Sequence, residues 1–140
     1  MDDCVFCKIV SREIDSAKVF ENENVLVFLD ANPVTKGHSL VIPKQHFENI
    51  FDIEENMLQK IMVVAKHISV KIKNSLSADG IRISQSNGTA AGQAIFHFHL
   101  HIIPRYKNDG ISMNETTNAH PPKADVEKLK SIAEEIKSKI

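Results

Sequence analysis

Between residues 96 and 104 the chain alternates His97, His99 and His101 with Phe98, Leu100 and Ile102. In an extended strand successive side chains leave opposite faces, so this pattern predicts three imidazoles on one face and three apolar groups on the other. The apolar face is what a sheet needs to pack on a core. The other face collects three groups that titrate near neutrality and can serve as donor, acceptor or nucleophile. Alternate residues lie roughly 6.5 to 7 Å apart along a strand, which separates the Cα atoms of His97 and His101 by about 13 Å. Three imidazoles at that spacing cannot share one ion without bending the backbone, so the expectation is that they divide their labour.

The chain around this strand reads as one domain over residues 1–140, with its core at about 5–107 and a tail and helix over 108–140. Its length and its 42% hydrophobic content suit a single unit with a real core. One or two helical turns are expected over 6–12, then strands at 19–20 and 24–29 joined by Glu21-Asn22-Glu23 as a hairpin. A Pro- and Gly-containing loop over 30–37 leads to a strand over 38–43, opened by His38. From 54 to 76 the residues Met57, Leu58, Ile61, Met62, Ala65, Ile68, Ile72 and Leu76 recur at three and four, the stripe of a long amphipathic helix. Gly80 marks a turn before the strand of Ile81 and Ile83, and a hairpin through 87–92 is expected to place Asn87 near the histidines. A turn-rich stretch over 107–123 precedes a helix over 125–140 with Val126, Leu129, Ile132, Ala133 and Ile136 on one face. Hairpin-connected strands with one inserted and one terminal helix predict an α+β fold, an antiparallel sheet with helices on one face.

Charge narrows the partners. With 17 basic and 18 acidic residues the net charge is −1, which speaks against a nucleic-acid polymer or an acidic membrane surface. No apolar run is long enough to span a membrane and Met1-Asp2-Asp3 does not open a signal peptide, so a cytoplasmic protein is expected. No Gly-rich phosphate loop is present, and nothing suggests an organic cofactor. The two cysteines are spaced Cys4-x-x-Cys7, open to metal binding, redox chemistry or coincidence, though no βαβ pattern surrounds them as a thioredoxin-like role would require. Two thiolates with two histidines would complete a tetrahedral structural zinc site, and His46 and His97 are candidates. His67 and His120 read as exposed or packing residues.

The run His97-Phe98-His99-Leu100-His101-Ile102-Ile103 has the form His-x-His-x-His-x-x with apolar x. Phe28-Leu29-Asp30, Gly37-His38-Ser39-Leu40-Val41-Ile42-Pro43-Lys44 and Gly92-Gln93 precede it in order. On these residues the chain resembles the histidine triad (HIT) family of nucleotide hydrolases and transferases over 6–106, and looks closest to bacterial relatives of its Hint branch. The resemblance implies a five-stranded sheet, a homodimer whose two sheets join into ten strands, and hydrolysis of adenosine phosphoramidates and related nucleoside 5'-monophosphate esters. It makes His99 the nucleophile that forms a nucleotidyl-histidine, a role open to a neutral imidazole whose other nitrogen is held by an acceptor. It makes His101 the phosphate partner and proton donor, and His38 a support behind the triad. Asp30 would accept from the ribose hydroxyls, and Phe6, Ile9, Ile14 and Phe28 would clamp the purine. Phosphoryl chemistry needs positioned donors, for which Asn87, Gln93 and the backbone near Ala94 are candidates. Ala94 stands where many Hint-type members carry serine, so one hydroxyl contact is missing. The resemblance also assigns Cys4, Cys7, His46 and His97 to a structural zinc. Three other functions compete. A nucleotidyl transferase tends to carry glutamine at the position of His101, a metallohydrolase would use His97-x-His99 as a zinc pair, and a nucleotide-binding module would show little turnover.

Overall fold

The structure, a computed structural model, describes residues 3–112 and 122–138. Strands β1 (Lys18–Glu21), β2 (Val25–Leu29), β3 (Ser39–Pro43), β4 (Gly80–Ser84) and β5 (Leu100–Arg105) form one sheet in the order β1-β2-β3-β5-β4. Every neighbouring pair is antiparallel, as expected. Helices α1 (Val5–Val10), α2 (Glu55–Leu76) and α3 (Val126–Ser138) complete the α+β architecture. The long crossover through α2 carries the chain from β3 to the outer position β4. Strand β5 then returns between them, so the histidine strand is interior with neighbours on both sides.

The helices do not all lie on one face. Every residue of β2 and β3 is buried, because both sides of these strands are covered. Val25, Val27, Leu29, Val41, Leu100 and Ile102 join the buried residues of α2 and α3 in one cluster. Leu26, Phe28, Leu40 and Ile42 join Phe6 and Ile9 of α1 in a second cluster on the opposite side. A short amino-terminal helix thus covers the face from which the histidines project.

Several local expectations shift. On α2 the buried stripe is Ile61, Ala65, Ile68, Ile72 and Ser75, while Met62 is 45% exposed. One residue past Ile61 turns it about 100° off the stripe. Val126 at the start of α3 is 48% exposed, and the four apolar residues that follow it are buried. Regular pairing of β5 begins at Leu100 rather than near residue 96, because the Phe98 N–H donates to the Phe47 carbonyl (2.7 Å) in the turn after β3 and not to a strand. His97 and His99 therefore stand on the lead-in to β5, but the facing holds: Phe98, Leu100 and Ile102 enter the core with α2. His38 immediately precedes β3 instead of opening it. Past β5 the chain turns through Asn108 (φ 62°) and Gly110 (φ 74°). Of the turn-rich stretch, 113–121 with His120 lies outside the described residues, as do the last two residues of the expected helix. Exposed His67 agrees with its bland reading. Among the described residues, no helix is long and apolar enough to cross a membrane.

Candidate active site

Three elements bring His38, His99 and His101 together: the loop before β3, the lead-in to β5, and β5 itself. Leu40 and His101 are cross-strand partners, so His101 shares a face with Leu40 and points to the α1 side. The His99 and His101 rings lie 5.1 Å apart and the His38 and His101 rings 5.2 Å apart.

Backbone groups fix which nitrogen of each ring carries the proton. The Val34 N–H donates to Nδ1 of His38 (3.0 Å), so a neutral His38 carries its proton on Nε2. That Nε2–H donates to Nδ1 of His101 (2.9 Å), which leaves the proton of a neutral His101 on Nε2. His99 Nδ1 lies 2.7 Å from the His97 carbonyl, which can only accept, so Nδ1 is protonated and Nε2 keeps its lone pair. The face thus presents one nucleophilic nitrogen, on His99, beside one N–H donor, on His101.

Burial keeps these rings neutral. Desolvation, followed by the proximity of His99, pushes His38 down to about 4, and desolvation with His99 and His38 nearby pushes His101 down to about 3. His99 is also lowered by burial, against the pull of the carbonyl of His97 and of Asp30. Asp30 is raised by burial despite the Asn32 N–H on its Oδ1 (2.8 Å). Its Oδ2 lies 3.5 Å from His38 Nε2 and has acceptor capacity to spare. Asp30, His38 and His101 are close enough to hold a metal ion. The Val34 N–H argues against it, since coordination through His38 Nε2 would drive a proton onto Nδ1, where it would face another donor.

The remaining candidate contacts divide. Phe6, 4% exposed, packs edge-on against Phe28 (5.5 Å) and His99 (5.1 Å). With Ile9 these make an apolar wall beside the nucleophile. Ile14, 38% exposed, shares with Ile9 the lining of a cleft of about 650 Å³ between the end of α1, β1 and α3. The amide of Gln93 is fully engaged: Oε1 accepts from Gly88 N–H (2.8 Å) and Asn49 Nδ2 (3.3 Å), while Nε2 donates to Glu48 (2.7 Å) and Ile95 (3.1 Å) carbonyls. It shapes the loop from 88 to 95 and has no donor left for a phosphate. Asn87 Oδ1 accepts from Ile50 N–H (2.7 Å) in the loop before α2 and from Gln85 Nε2 (2.6 Å), and its Nδ2 donates to Gln85 Oε1 (2.7 Å), so these bonds join that loop to the residue after β4 and none of them is to a histidine. Ala94 is exposed, with Cys4, Val5 and Ile95 around it in a shallow pocket.

His97 turns to a different cluster. Its Nε2–H donates to the Pro43 carbonyl (2.8 Å), which leaves the Nδ1 lone pair facing Cys4 Sγ (3.3 Å), Cys7 Sγ (3.5 Å) and His46 Nδ1 (3.2 Å). Cys7 Sγ and His46 Nδ1 are 3.3 Å apart. A tetrahedral zinc with ordinary bond lengths would set two imidazole nitrogens about 3.3 Å apart and a nitrogen and a sulfur about 3.6 Å apart. The four side chains fit that shape. Burial and the neighbouring Cys4 push the Cys7 thiol up to about 11, so without a cation beside it the group stays protonated.

Sequence reasoning missed the polar groups that carry no side-chain signature: the Val34 N–H and the carbonyls of Pro43 and His97. It also missed Asn49, which braces Gln93. Only the X-Pro turn at 32–33 hinted that residues near 34 had a fixed geometry.

Comparison with known proteins identifies the family. Over its whole length the chain is 42% identical to an uncharacterised HIT-like protein of Borreliella burgdorferi, also matched along its whole length. It is 34% identical to an adenosine 5'-monophosphoramidase of Schizosaccharomyces pombe, with 98% of each chain covered. A solved zinc-bound histidine triad family protein from Mycobacterium smegmatis superposes with a TM-score of 0.86 at 32% identity, over 99% of this chain and 93% of that one. A family model described as the HIT domain matches residues 11–108, the span that carries all three triad histidines, His38 and His46, and the chain belongs to that family.

Proposed function

We propose that the protein is a purine nucleoside 5'-monophosphate phosphoramidase, a hydrolase that cleaves P–N or P–O bonds at the α-phosphate through a nucleotidyl-His99 intermediate. One observation carries the reading: the His99 Nδ1–H is held by the His97 carbonyl at 2.7 Å, so Nε2 enters the site as a free lone pair. The Schizosaccharomyces pombe relative is named for this activity, on adenosine 5'-monophosphoramidate.

His99 Nε2 attacks phosphorus opposite the leaving group. The negative charge of the bound phosphate favours the protonated form of His101; the added proton sits on Nδ1, the His38 Nε2–H turns to Asp30 Oδ2, 3.5 Å away, and the His101 Nε2–H passes to the departing amine or oxygen as the P–N or P–O bond breaks. His101 then takes a proton from water, whose oxygen attacks the nucleotidyl-histidine and returns His99 to its starting state. His38, hydrogen-bonded to His101 Nδ1 and fixed by Val34, holds the second ring in orientation. Asp30 Oδ2 receives the ribose hydroxyls, and Phe6, Ile9 and Phe28 hold the base by burial and edge contact. Asn87 and Gln93 act through the loops they hold, and backbone amides near Ala94 donate to the phosphate. Cys4, Cys7, His46 and His97 hold a structural zinc that fastens α1 to the sheet. The metallohydrolase reading is disfavoured at His97, whose Nδ1 faces the cysteines and whose Nε2–H is held by the Pro43 carbonyl, so it offers no nitrogen to an ion shared with His99. We further propose a homodimer.

The test is turnover of adenosine 5'-monophosphoramidate by the parent and by the His99→Ala variant. Loss of four orders of magnitude or so is expected from removal of a nucleophile. Brief reaction followed by acid quench is expected to leave an adenylyl mass on the peptide containing His99. Equal turnover by parent and variant removes the mechanism, and a parent that binds AMP without turnover supports the binding module.

A further inference from the structure

We infer that the Cys4/Cys7/His46/His97 centre sets the affinity for nucleotide, acting through α1 and Phe6. The inference rests on the nucleotide site proposed above and concerns its control. Helix α1 is six residues long, too short to hold its shape or place unaided. Cys4 is its N-cap, with Sγ accepting the Cys7 N–H at 3.3 Å, and Cys7 lies one turn on. Both thiols meet His97, just before β5, and the Cys7 thiol also meets His46, just after β3. A cation bound by these four groups therefore ties the helix to two neighbouring strands of the sheet.

Phe6 lies between the two cysteines in sequence and faces the chemistry. Its ring meets His97 at 5.9 Å, His99 at 5.1 Å and Phe28 at 5.5 Å, each contact edge-on. One side chain thus touches a candidate metal ligand, the candidate nucleophile and the candidate base clamp. A second link runs through the backbone, since the residue that supplies the Nδ1 ligand also supplies the carbonyl that orients His99. With the tetrad loaded, Phe6 and the His97 carbonyl are held where the nucleotide needs them. With the tetrad empty, α1 can shift away and AMP must recruit it back, which weakens binding. Phe6 is a positioning residue in this scheme as well as a wall of the base site. Coupling between two sites is reciprocal, so AMP must strengthen metal retention by the factor by which the metal strengthens AMP binding.

The experiment uses the full chain and AMP as probe. The AMP dissociation constant is measured calorimetrically for zinc-loaded and chelator-stripped protein, with circular dichroism to verify that the stripped form is folded. Zinc transfer to a chromophoric chelator is then titrated with and without saturating AMP. Expected is an AMP affinity at least about tenfold weaker in the stripped form, and a shift of similar size in the zinc titration when AMP is present. If the stripped chain unfolds, the Phe6→Ala variant carries the test: zinc-loaded, it should bind AMP more weakly and show a smaller AMP-dependent shift in zinc retention than the parent, the link through the His97 carbonyl remaining. A folded stripped protein with unchanged AMP affinity, or a Phe6→Ala variant with the parent's full zinc–AMP coupling, overturns the inference. A zinc-loaded parent that binds no AMP sinks the nucleotide reading itself, a result distinct from binding that ignores the metal.

Discussion

The His38–His101 hydrogen bond makes a sharp demand on protons at the scale of single residues. In the free protein His101 is held down to about 3, first by desolvation and then by His99 and His38, so at neutral pH it is uncharged. A bound phosphate adds negative charge within a few ångströms and favours the imidazolium. The pKa of His101 is therefore higher in the complex than in the free chain, and at any pH between the two values binding takes up a proton. By linkage, AMP affinity should rise as pH falls through that window. Calorimetry in buffers of different ionisation enthalpy measures the uptake, and a His101→Asn variant corrects for protonation of the phosphate itself, whose second pKa is about 6. Uptake by the parent is expected to exceed that of the variant by a measurable fraction of a proton that grows as the pH is lowered toward the free value. Identical values would mean that His101 does not meet the phosphate.

At the scale of elements, the loop from Asp30 to His38 carries the relay and is fixed at several points. Thr35 Oγ1 donates to the Pro104 carbonyl (2.6 Å), the Tyr106 hydroxyl donates to the Lys36 carbonyl (2.8 Å), and the Ala124 N–H donates to the Ala31 carbonyl (2.8 Å). Gly37 closes the loop at φ +92°, where a Cβ would run into the Leu76 side chain of α2 and crowd Pro104. Gly37→Ala combines a left-handed backbone with that clash, and a loss of about 1–3 kcal/mol is expected in urea unfolding. Because His38 and Val34 share this loop, turnover should fall along with stability; an unperturbed variant would show that the loop tolerates a different path. The Gly37-His38 pair was legible in the sequence as part of a familiar run of residues, and the alternation around His99 was legible from side-chain period alone. What stayed hidden was the wiring. Val34, Pro43 and His97 act through main-chain groups that every residue type possesses, so no pattern of side chains announces them. Gln93 and Asn87 were recognisable as site residues, but whether an amide faces a ligand or a loop depends on partners such as Asn49 and Ile50, far away in sequence. Helix α1 on the histidine face was hidden for a related reason: six residues show too little periodicity to reveal which side of a sheet they cover.

For the whole molecule, the two edges of the sheet differ. Helix α3 packs beside β1, whereas β4 has a strand neighbour, β5, on one side only. Ile83 projects from β4 at 43% exposure, cross-strand from the core residue Ile102 and so on the α2 side. A free strand edge next to exposed apolar groups is a hazard that proteins avoid or use for self-association. The proposed homodimer uses it: a two-fold axis beside β4 pairs the strand with its own copy and extends five strands to ten, covering Ile83. A single lysine on the edge opposes such pairing, since each interface would bury the charge twice, once from each copy. Sedimentation equilibrium at micromolar concentration is expected to give twice the chain mass for the parent and a shift toward the monomer for Ile83→Lys. The active-site histidines lie on the face away from α2, so AMP affinity of the variant monomer reports whether the assembled sheet also supports the site. A parent that sediments as a monomer, or an Ile83→Lys variant that dimerises as tightly as the parent, would move the interface off this edge.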